Sequence, residues 1–391
     1  MQQLVLKSGR DRSLLNRHPW VFSGAVKQMP QAENGEIVQV VSNNGNPLGY
    51  GFFSTNSQIT CRVFEFTDKQ LQINASFWAH KIKQAHLLRN LVINRTTTNT
   101  YRLIHAEGDF LPGVIIDVYH EVAVVQLLIR GTERIKEHIF NALFEIGIRY
   151  IYIKIKSSTQ RLEDVAAPSE WVNSNRPEQY PVDTIENSIK FMIDVEKGQK
   201  TGFFIDQREN RRLVGQYAAG KKVLNTFSYS GGFSLYALAA GAELVHSVDS
   251  SREAIDMCDR IVLANGWQSK HEGFCEDVFD YMQQTTVDYD IMVLDPPAFA
   301  KNARAVPNAT RGYKNLNLIA FKKIKPGGLI FTFSCSQHID RELFRKVVFG
   351  AAADAGRNVR IIRQLTQPED HPINIFHPEG EYLKGLMLHV E

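Results

Sequence analysis

Short apolar runs broken by turn residues fill roughly the first 70 positions. The stretch Gly35-Glu36-Ile37-Val38-Gln39-Val40-Val41 is rich in β-branched residues and reads as a strand. Asn43-Asn44-Gly45-Asn46-Pro47 reads as a turn, and 48–53 and 58–66 continue the pattern. A small, mostly β module is predicted there. Between about 73 and 185 the pattern is mixed. Residues 75–92 form a candidate helix, with Phe77, Ile82, Ala85, Leu88 and Leu91 near helical spacing. Residues 114–118 and 122–129 read as strands around a Tyr119-His120 turn, 135–143 as a helix, and 150–156 as another strand. The Asn- and Pro-rich stretch 171–181 reads as a boundary.

From about 186 onward, apolar strands alternate with helical segments. Strands are predicted at 222–227, 242–249, 271–277, 289–295 and 328–334. Helices are predicted at 233–240, 251–265 (Ser250 as its N-cap), 313–323 and 339–355. Two late strands, 359–365 and 382–390, close the chain. Such alternation specifies an α/β fold with a parallel sheet covered on both faces. Three domains are expected, at 1–72, 73–185 and 186–391, which suits a chain of 391 residues.

Composition narrows the class. Apolar residues make up 43% and charged residues 22%, as in a globular protein. No apolar run reaches the roughly 20 residues a membrane span needs. The N-terminus meets charge at Lys7 and lacks a secretory pattern, so a cytoplasmic location is expected. The four cysteines, Cys61, Cys258, Cys275 and Cys335, form no C-x-x-C pair, and neither a disulfide framework nor a metal site is expected. Net charge is only +3, but it is unevenly spread. Lys7, Arg10, Arg12, Arg17 and Lys27 face Asp11 alone, and Lys301, Arg304, Arg311, Lys314, Lys322, Lys323 and Lys325 face no acidic residue. Local basic patches suit a polyanion; a solvated surface accounts for the first patch equally well, whereas binding is favoured for the second, which follows a suspected active-site loop.

Ligands of open α/β sheets sit at the carboxyl ends of the strands. The first predicted strand runs into Phe227-Ser228-Tyr229-Ser230-Gly231-Gly232, small residues that let the backbone approach a ligand. The second ends at Asp249, followed by Ser250, where an acid suits a ribose diol. A dinucleotide would fit as well, were the loop G-x-G-x-x-G. It is not, and a second acid, Asp277, ends strand three. Strand four ends in Asp295-Pro296-Pro297-Ala298-Phe299, which has no role in hydride transfer.

Asp-Pro-Pro together with Phe-Ser-Tyr-Ser-Gly-Gly resembles the class I S-adenosylmethionine-dependent methyltransferases. Thr201-Gly202-Phe203-Phe204-Ile205-Asp206-Gln207-Arg208-Glu209-Asn210-Arg211 and Ser334-Cys335-Ser336 narrow the resemblance to the RlmI-type ribosomal-RNA cytosine-5 methyltransferases, over essentially the whole chain. The resemblance implies a Rossmann-like catalytic domain, preceded by a β-rich PUA RNA-binding domain and a central α+β domain. It implies S-adenosylmethionine as cofactor and ribosomal RNA as partner, with neither membrane nor metal, and it is compatible with a homodimer. The 228–232 loop would hold the amino-acid tail, with Phe227 at its start, and Asp249 and Ser250 would serve the ribose. Asp277 and the Val278 backbone would flank the adenine. Asp295 and Pro296 would border the cofactor, and Phe204, Asp206, Gln207 and Arg208 would close over it. Asp277 has an alternative reading as a helix cap and Arg208 as an ion-pair partner of Glu209.

Carbon-5 of cytosine is a poor nucleophile. Adding a thiolate to carbon-6 makes carbon-5 enamine-like. This needs a cysteine at the rim of the pocket, and Cys335 stands at the end of strand five. Asp295 is the candidate acid near N3. A free thiol has a pKa of about 8.5, so nearby positive charge, with Lys301 as candidate, would raise the thiolate fraction. Many RNA cytosine-5 methyltransferases carry a second cysteine after the strand-four Asp-Pro pair. Its absence here agrees with the RlmI-type group and leaves water or His338 to take the carbon-5 proton. Lys7, Arg10, Arg12 and Arg17, with Trp20 and Phe22 beside them in sequence, suit phosphate contact and base stacking, although core is the favoured reading of Trp20 and Phe22. His18-Pro19-Trp20-Val21-Phe22 resembles the family's PUA opening. Lys301, Arg304, Arg311 and Lys314 are the second RNA-binding candidates. Two other readings stay open. One is N-methylation of an RNA purine, which usually places an aromatic directly after the prolines, where Ala298 stands. The other is a non-catalytic RNA-binding or ribosome assembly factor.

Overall fold

The computed structural model describes residues 1–300 and 302–391, the side chain of Ser158 excepted; Lys301 lies outside the described residues. The chain divides into two compact units. One holds Met1–Asn187, Ile193–Ile205 and Glu369–Glu381, and the other Ser188–Met192, Asp206–Pro368 and Tyr382–Glu391.

The first unit opens with a six-stranded sheet built from Gln3–Leu6, Trp20–Phe22, Val26–Gln28, Ile37–Val41, Pro47–Phe53 and Ile59–Glu65. Alternation places Leu4, Leu6, Val38, Val40, Cys61 and Val63 in one apolar cluster. A five-stranded sheet follows, made of Thr100–His105, Val114–Tyr119, Val122–Leu127, Tyr150–Ile153 and Glu170–Trp171. Helices Ala75–Val92 and Lys136–Glu145 contribute to its core, and Tyr50, Phe52 and Phe64 of the first sheet belong to the same cluster. Phe52 stacks on Trp78 with ring centroids 5.7 Å apart.

The Ala75–Val92 helix departs from the predicted stripe. Its buried positions are Trp78, Ile82, Ala85 and Arg89, whereas Leu91 is 82% exposed. The inward stripe ends on an arginine because Asp109 pairs with the Arg89 guanidinium (2.7 Å) and the Arg102 carbonyl accepts its Nε hydrogen (2.8 Å). The strand Thr100–His105 carries no prediction, since Arg102 and His105 interrupt its apolar pattern. The fold buries those interruptions. Arg102 pairs in a bidentate way with Asp117 (2.8 and 2.9 Å), and its N–H donates to Asp370 Oδ2 (2.9 Å). Asp117 also accepts from Thr201, which is hydrogen-bonded to Tyr119.

The second unit is built on a seven-stranded sheet. We number its strands β1 (Lys222–Thr226), β2 (Leu244–Asp249), β3 (His271–Cys275), β4 (Ile291–Leu294), β5 (Gly328–Ser334), β6 (Val359–Leu365) and β7 (Lys384–Val390). Their order is β3-β2-β1-β4-β5-β7-β6. All neighbours run parallel except β7, which is antiparallel to both β5 and β6. Leu224, Met292, Leu294 and Ile330 pack one face against Tyr313, Phe321, Phe344 and Val348 from helices Val306–Lys323 and Arg341–Ala355. Helices Gly232–Ala239 and Arg252–Ala264 pack on β1, β2 and β3. The α/β, Rossmann-like expectation holds for this unit.

Several local boundaries differ from those predicted. The N-cap of Arg252–Ala264 is Ser251, whose hydroxyl accepts from Ala254 N (3.3 Å); Ser250 is one residue too early. Strand β3 stops at Cys275, two residues short of Asp277, because Asp277 caps an unpredicted helix, Val278–Gln284. The helix expected from 313 begins at Val306, with Pro307 in its first turn, a position where the missing N–H costs nothing. The last strand starts at Lys384 rather than 382. Among the described residues, no helix is long and apolar enough to cross a membrane, and no cluster of three His, Cys, Asp or Glu side chains could hold a metal.

Candidate active site

Sheet order reverses direction between β1 and β4, the place where open α/β sheets bind ligands. The loop after β1 has an unusual backbone. Phe227 (φ 52°), Tyr229 (φ 46°) and Gly231 (φ 79°) are all left-handed. The N–H groups of Tyr229 and Gly231 are taken by Asp249 Oδ2 and the Ser228 carbonyl, both at 2.9 Å, so the loop is a tight turn held by its own hydrogen bonds. Gly231 is also there for space: a Cβ would lie 2.3 Å from the buried Cys258 sulfur. The Ser228 N–H donates to Val248 O (3.0 Å), and its buried hydroxyl has no partner among the described residues. Ser230 is buried and Gly232 opens the following helix.

Asp249 ties this loop to the end of β2. One carboxylate oxygen accepts from Tyr229 N and the other from Ser251 N, both at 2.9 Å. Ser250 is exposed beside it. Asp277 is exposed and accepts from Phe279 N (2.8 Å) and Asp280 N (3.2 Å), the helix-capping alternative raised from the sequence. Val278 is buried in the first turn of that helix. Asp206, Gln207 and Arg208 are all buried. Asp206 accepts from Tyr382 OH (2.7 Å), Gln207 from Asn210 Nδ2 (2.6 Å), and Arg208 lies 3.4 Å from Glu209. In the first unit, Phe204 is half-buried with Lys200 Nζ 4.3 Å from its ring centre.

The ends of β4 and β5 are held together by hydroxyl groups. Asp295 is half-buried and Pro296 buried directly after β4, and Cys335 is half-buried directly after β5. The serines on both sides of Cys335 are fully buried. Tyr313 OH receives the Ser334 hydroxyl bond and meets Ser336 Oγ, each at 3.0 Å. Ser336 Oγ accepts from Ala300 N (3.2 Å), which docks the loop after β4 onto this turn. Lys384, buried in β7 opposite Ser334, donates to the Ser336 carbonyl (2.7 Å). Phe299 rests on Tyr313 with ring centroids 4.6 Å apart. His338 is exposed.

The four thiols differ in environment. Cys61 and Cys258 are buried, and burial pushes each thiol up to about 12. Cys275 and Cys335 are half-buried. Iodoacetamide at pH 8 is therefore expected to label Cys335 and Cys275 in the folded protein. Cys61 and Cys258 should stay unmodified until denaturant is added, as read by peptide mass spectrometry.

The basic candidates fall in separate places. Lys7, Arg10, Arg12 and Arg17 are exposed in and around the short helix Arg12–Leu15, while Trp20 is half-buried and Phe22 is 48% exposed. Trp20 Nε1 donates to Glu107 (2.8 Å), and the ring lies 4.5 Å from that of His377. Arg304 and Arg311 are exposed in the second unit, whereas Lys314 pairs with Asp354 (2.7 Å). Lys301 lies outside the described residues.

Comparison with known proteins is decisive at the level of family. Residues 155–374 match the model of an S-adenosylmethionine-dependent methyltransferase, and residues 4–66 that of a PUA-like domain. The chain is 42% identical over 394 residues to "Ribosomal RNA large subunit methyltransferase I" of Shewanella amazonensis, covering 99% of each. The chain belongs to the ribosomal RNA large subunit methyltransferase I family. The member of that name from Aeromonas salmonicida is 39% identical over 391 residues, covering 98% of each chain. A protein assigned as a methyltransferase and solved in complex with SAH shares the fold over the whole of both chains, with a TM-score of 0.84 at 23% identity.

This family member is thus an S-adenosylmethionine-dependent methyltransferase with a PUA-like N-terminal domain. The β1 loop fits that cofactor. S-adenosylmethionine carries no phosphate but has an amino-acid tail, a sulfonium and a ribose diol. The Ser228 hydroxyl, buried without a partner among the described residues at a cost of about 1–3 kcal/mol unless bonded, is a polar group free to meet such a tail. Three residues that the sequence did not single out bond to candidate site segments: Tyr313 and Lys384 at the turn around Cys335, and Tyr382 at Asp206. The available signal for Lys384 was its place inside the apolar run Leu383-Lys384-Gly385-Leu386-Met387-Leu388.

Proposed function

We propose that this methyltransferase methylates carbon-5 of a cytosine in ribosomal RNA of the large subunit through a covalent adduct on Cys335. The carrying observation is the half-buried thiol directly after β5, in a turn fixed on both sides by buried serines and docked to the loop that follows Asp295. The Cys335 thiolate bonds to carbon-6 of the cytosine, and the displaced ring electron pair makes carbon-5 nucleophilic. A protonated Asp295 gives its proton to N3 as that charge develops and takes it back when the thiolate leaves. S-adenosylmethionine, when bound, supplies an electrophilic methyl group to carbon-5. Loss of the carbon-5 proton to water and expulsion of the thiolate restore the aromatic ring and the free enzyme.

The β1 loop (Phe227 to Gly232) holds the amino-acid tail in this reading, and Asp249 with Ser250 takes the ribose. Asp277 and Val278 border the adenine, and Asp295 and Pro296 line the reacting side. Phe204, Asp206, Gln207 and Arg208 complete the cofactor shell. Removing the carboxylate is informative. Asp249→Ala should weaken S-adenosylmethionine binding by about 10- to 100-fold, since a charge-assisted bond contributes about 1.5–3 kcal/mol, measured by titration calorimetry. It should also loosen the loop that Asp249 anchors.

The PUA-like domain is assigned to RNA binding, within domain limits of 1–72, 73–185 and 186–391, in the cytoplasm. Lys7, Arg10, Arg12 and Arg17 would contact phosphates, with Arg304, Arg311, Lys314 and Lys301 as a second set. The triple variant Arg10→Gln/Arg12→Gln/Arg17→Gln is expected to lower RNA affinity at least ~10-fold and to reduce the slope of log affinity against log salt. An unchanged slope would remove this patch from the interface.

Product identity tests the reaction itself. The enzyme is incubated with labelled S-adenosylmethionine and unmodified large-subunit ribosomal RNA, and the labelled nucleoside is identified. 5-Methylcytidine is expected. A methylated purine would replace this reading with N-methylation, which Phe299 disfavours because its ring is packed on Tyr313. No product from RNA or from a ribosomal subunit would favour a binding or assembly role.

A further inference from the structure

Lys384 sits where a charge can act on the nucleophile. It lies in β7, directly opposite Ser334, on an antiparallel strand bonded to β5. Only 4% of its surface is exposed, and its ammonium donates to the carbonyl of Ser336, the residue after Cys335. A lysine buried at the edge of a reaction site is costly unless its charge is used. Arg would reach further and spread its charge over a plane, whereas an ammonium is a compact point charge.

We propose that Lys384 is a positioning residue for Cys335, holding the Ser334-Cys335-Ser336 turn and stabilising the thiolate that attacks the base. Tyr313 completes the clamp by bonding both flanking serine hydroxyls, and it does so as a neutral phenol. Burial pushes the Tyr313 hydroxyl up from its ordinary value, and charge on Cys335 acts in the same direction, which places thiol and phenol within electrostatic reach. The carbonyl bond fixes the ammonium beside the turn before substrate arrives. The thiolate then forms at no cost of reorganising a distant side chain, the general advantage of a preorganised site.

Arg341, Glu342 and Arg345 from helix Arg341–Ala355, with Gln364 from β6, line one cavity with Lys384. Glu342 is paired with Lys346 (2.8 Å). From helix Val306–Lys323 the facing group is Tyr313, and Tyr382, two residues before Lys384, bonds Asp206. Arg341 and Arg345 bear the same sign as Lys384, so a diffuse positive field must be separated from a local effect.

The inference rests on Cys335 as nucleophile, but its test does not need turnover. The rate of iodoacetamide alkylation of Cys335 is followed against pH in the full chain by peptide mass spectrometry. Wild type is compared with Lys384→Gln, which keeps a donor for the Ser336 carbonyl, and with Lys384→Met, Lys384→Arg and Arg345→Gln. The midpoint should rise by about one pH unit or more in the Gln and Met variants, with alkylation roughly ten-fold slower at pH 7. Lys384→Arg should restore most of the shift and Arg345→Gln should show none. An unchanged midpoint in folded Lys384→Gln overturns the proposal, as does an equal rise in Arg345→Gln. If the Gln and Met variants fail to fold, a rise of that size in Lys384→Arg, which keeps the charge, overturns it. Failure of the nucleophile assignment shows elsewhere, as a base adduct that persists without Cys335.

Discussion

Cys335→Ala is expected to lower kcat by at least ~10⁴-fold while leaving S-adenosylmethionine affinity unchanged. The asymmetry follows from geometry. The cofactor contacts assigned above come from the β1 loop, Asp249 and Ser250, the start of helix Val278–Gln284, Asp295 and Pro296, and Phe204 to Arg208, none of which is the β5 turn itself. Without the sulfur, carbon-5 keeps its intrinsic low reactivity, and positioning alone cannot make it enamine-like. The half-buried thiol contributes little to the core, so the variant should melt near wild type. Cys335→Ser should be almost as inactive, because an alkoxide at neutral pH is far scarcer than a thiolate. A variant that folds, binds cofactor and retains a tenth of wild-type kcat would remove Cys335 from the chemistry.

Arg102→Met is expected to cost about 3–5 kcal/mol of stability. Asp117 is 1% exposed and receives both of its charged hydrogen bonds from Arg102, with a third from Thr201. Removing the guanidinium leaves that carboxylate buried without its counter-charge. Asp370, also fully buried, keeps its bond from the Arg102 backbone but loses a neighbouring positive charge. A loss of this size corresponds to a fall in Tm of roughly 6–20 °C for a unit of this length, measured by scanning calorimetry. Adding Asp117→Leu should recover much of it, since an apolar pair avoids desolvating either ion. The segment Glu369–Glu381, which supplies Asp370, joins β6 to β7 in sequence and receives bonds at Asp370 from the Arg102 N–H and the Arg89 guanidinium.

The parts that were legible in the sequence share a cause. Parallel strands buried on both faces read as continuous apolar runs, and β1, β2, β4 and β5 were recognised within a few residues for that reason. The loops at their ends stood out because glycine, proline and acidic residues interrupt those runs. Features set by partners far along the chain were not legible. The inner stripe of Ala75–Val92 ends on Arg89, which apolar spacing ranks as surface, because Asp109 and the Arg102 carbonyl receive it. Thr100–His105 is a strand whose polar residues are neutralised by Asp117 and Asp370, the latter 268 positions from Arg102. Lys384 and Tyr313 join the Cys335 turn only once β7 inserts between β5 and β6 and helix Val306–Lys323 packs beneath. Ser250 and Ser251 are adjacent hydroxyls, and only backbone geometry distinguishes the cap. The roles of Asp277 and Arg208 were ambiguous, and the structure shows a helix cap for one and a glutamate neighbour for the other beside any cofactor contact.

The most direct measurement is covalent trapping. Ribosomal RNA containing 5-fluorocytidine is incubated with S-adenosylmethionine and the wild-type enzyme, where fluorine at carbon-5 blocks the last elimination. The expected result is a denaturation-resistant RNA–protein adduct whose peptide mass maps to Cys335, and no adduct with Cys335→Ala. An adduct that survives Cys335→Ala, or that maps to another residue, would contradict the assignment of this thiol as the nucleophile.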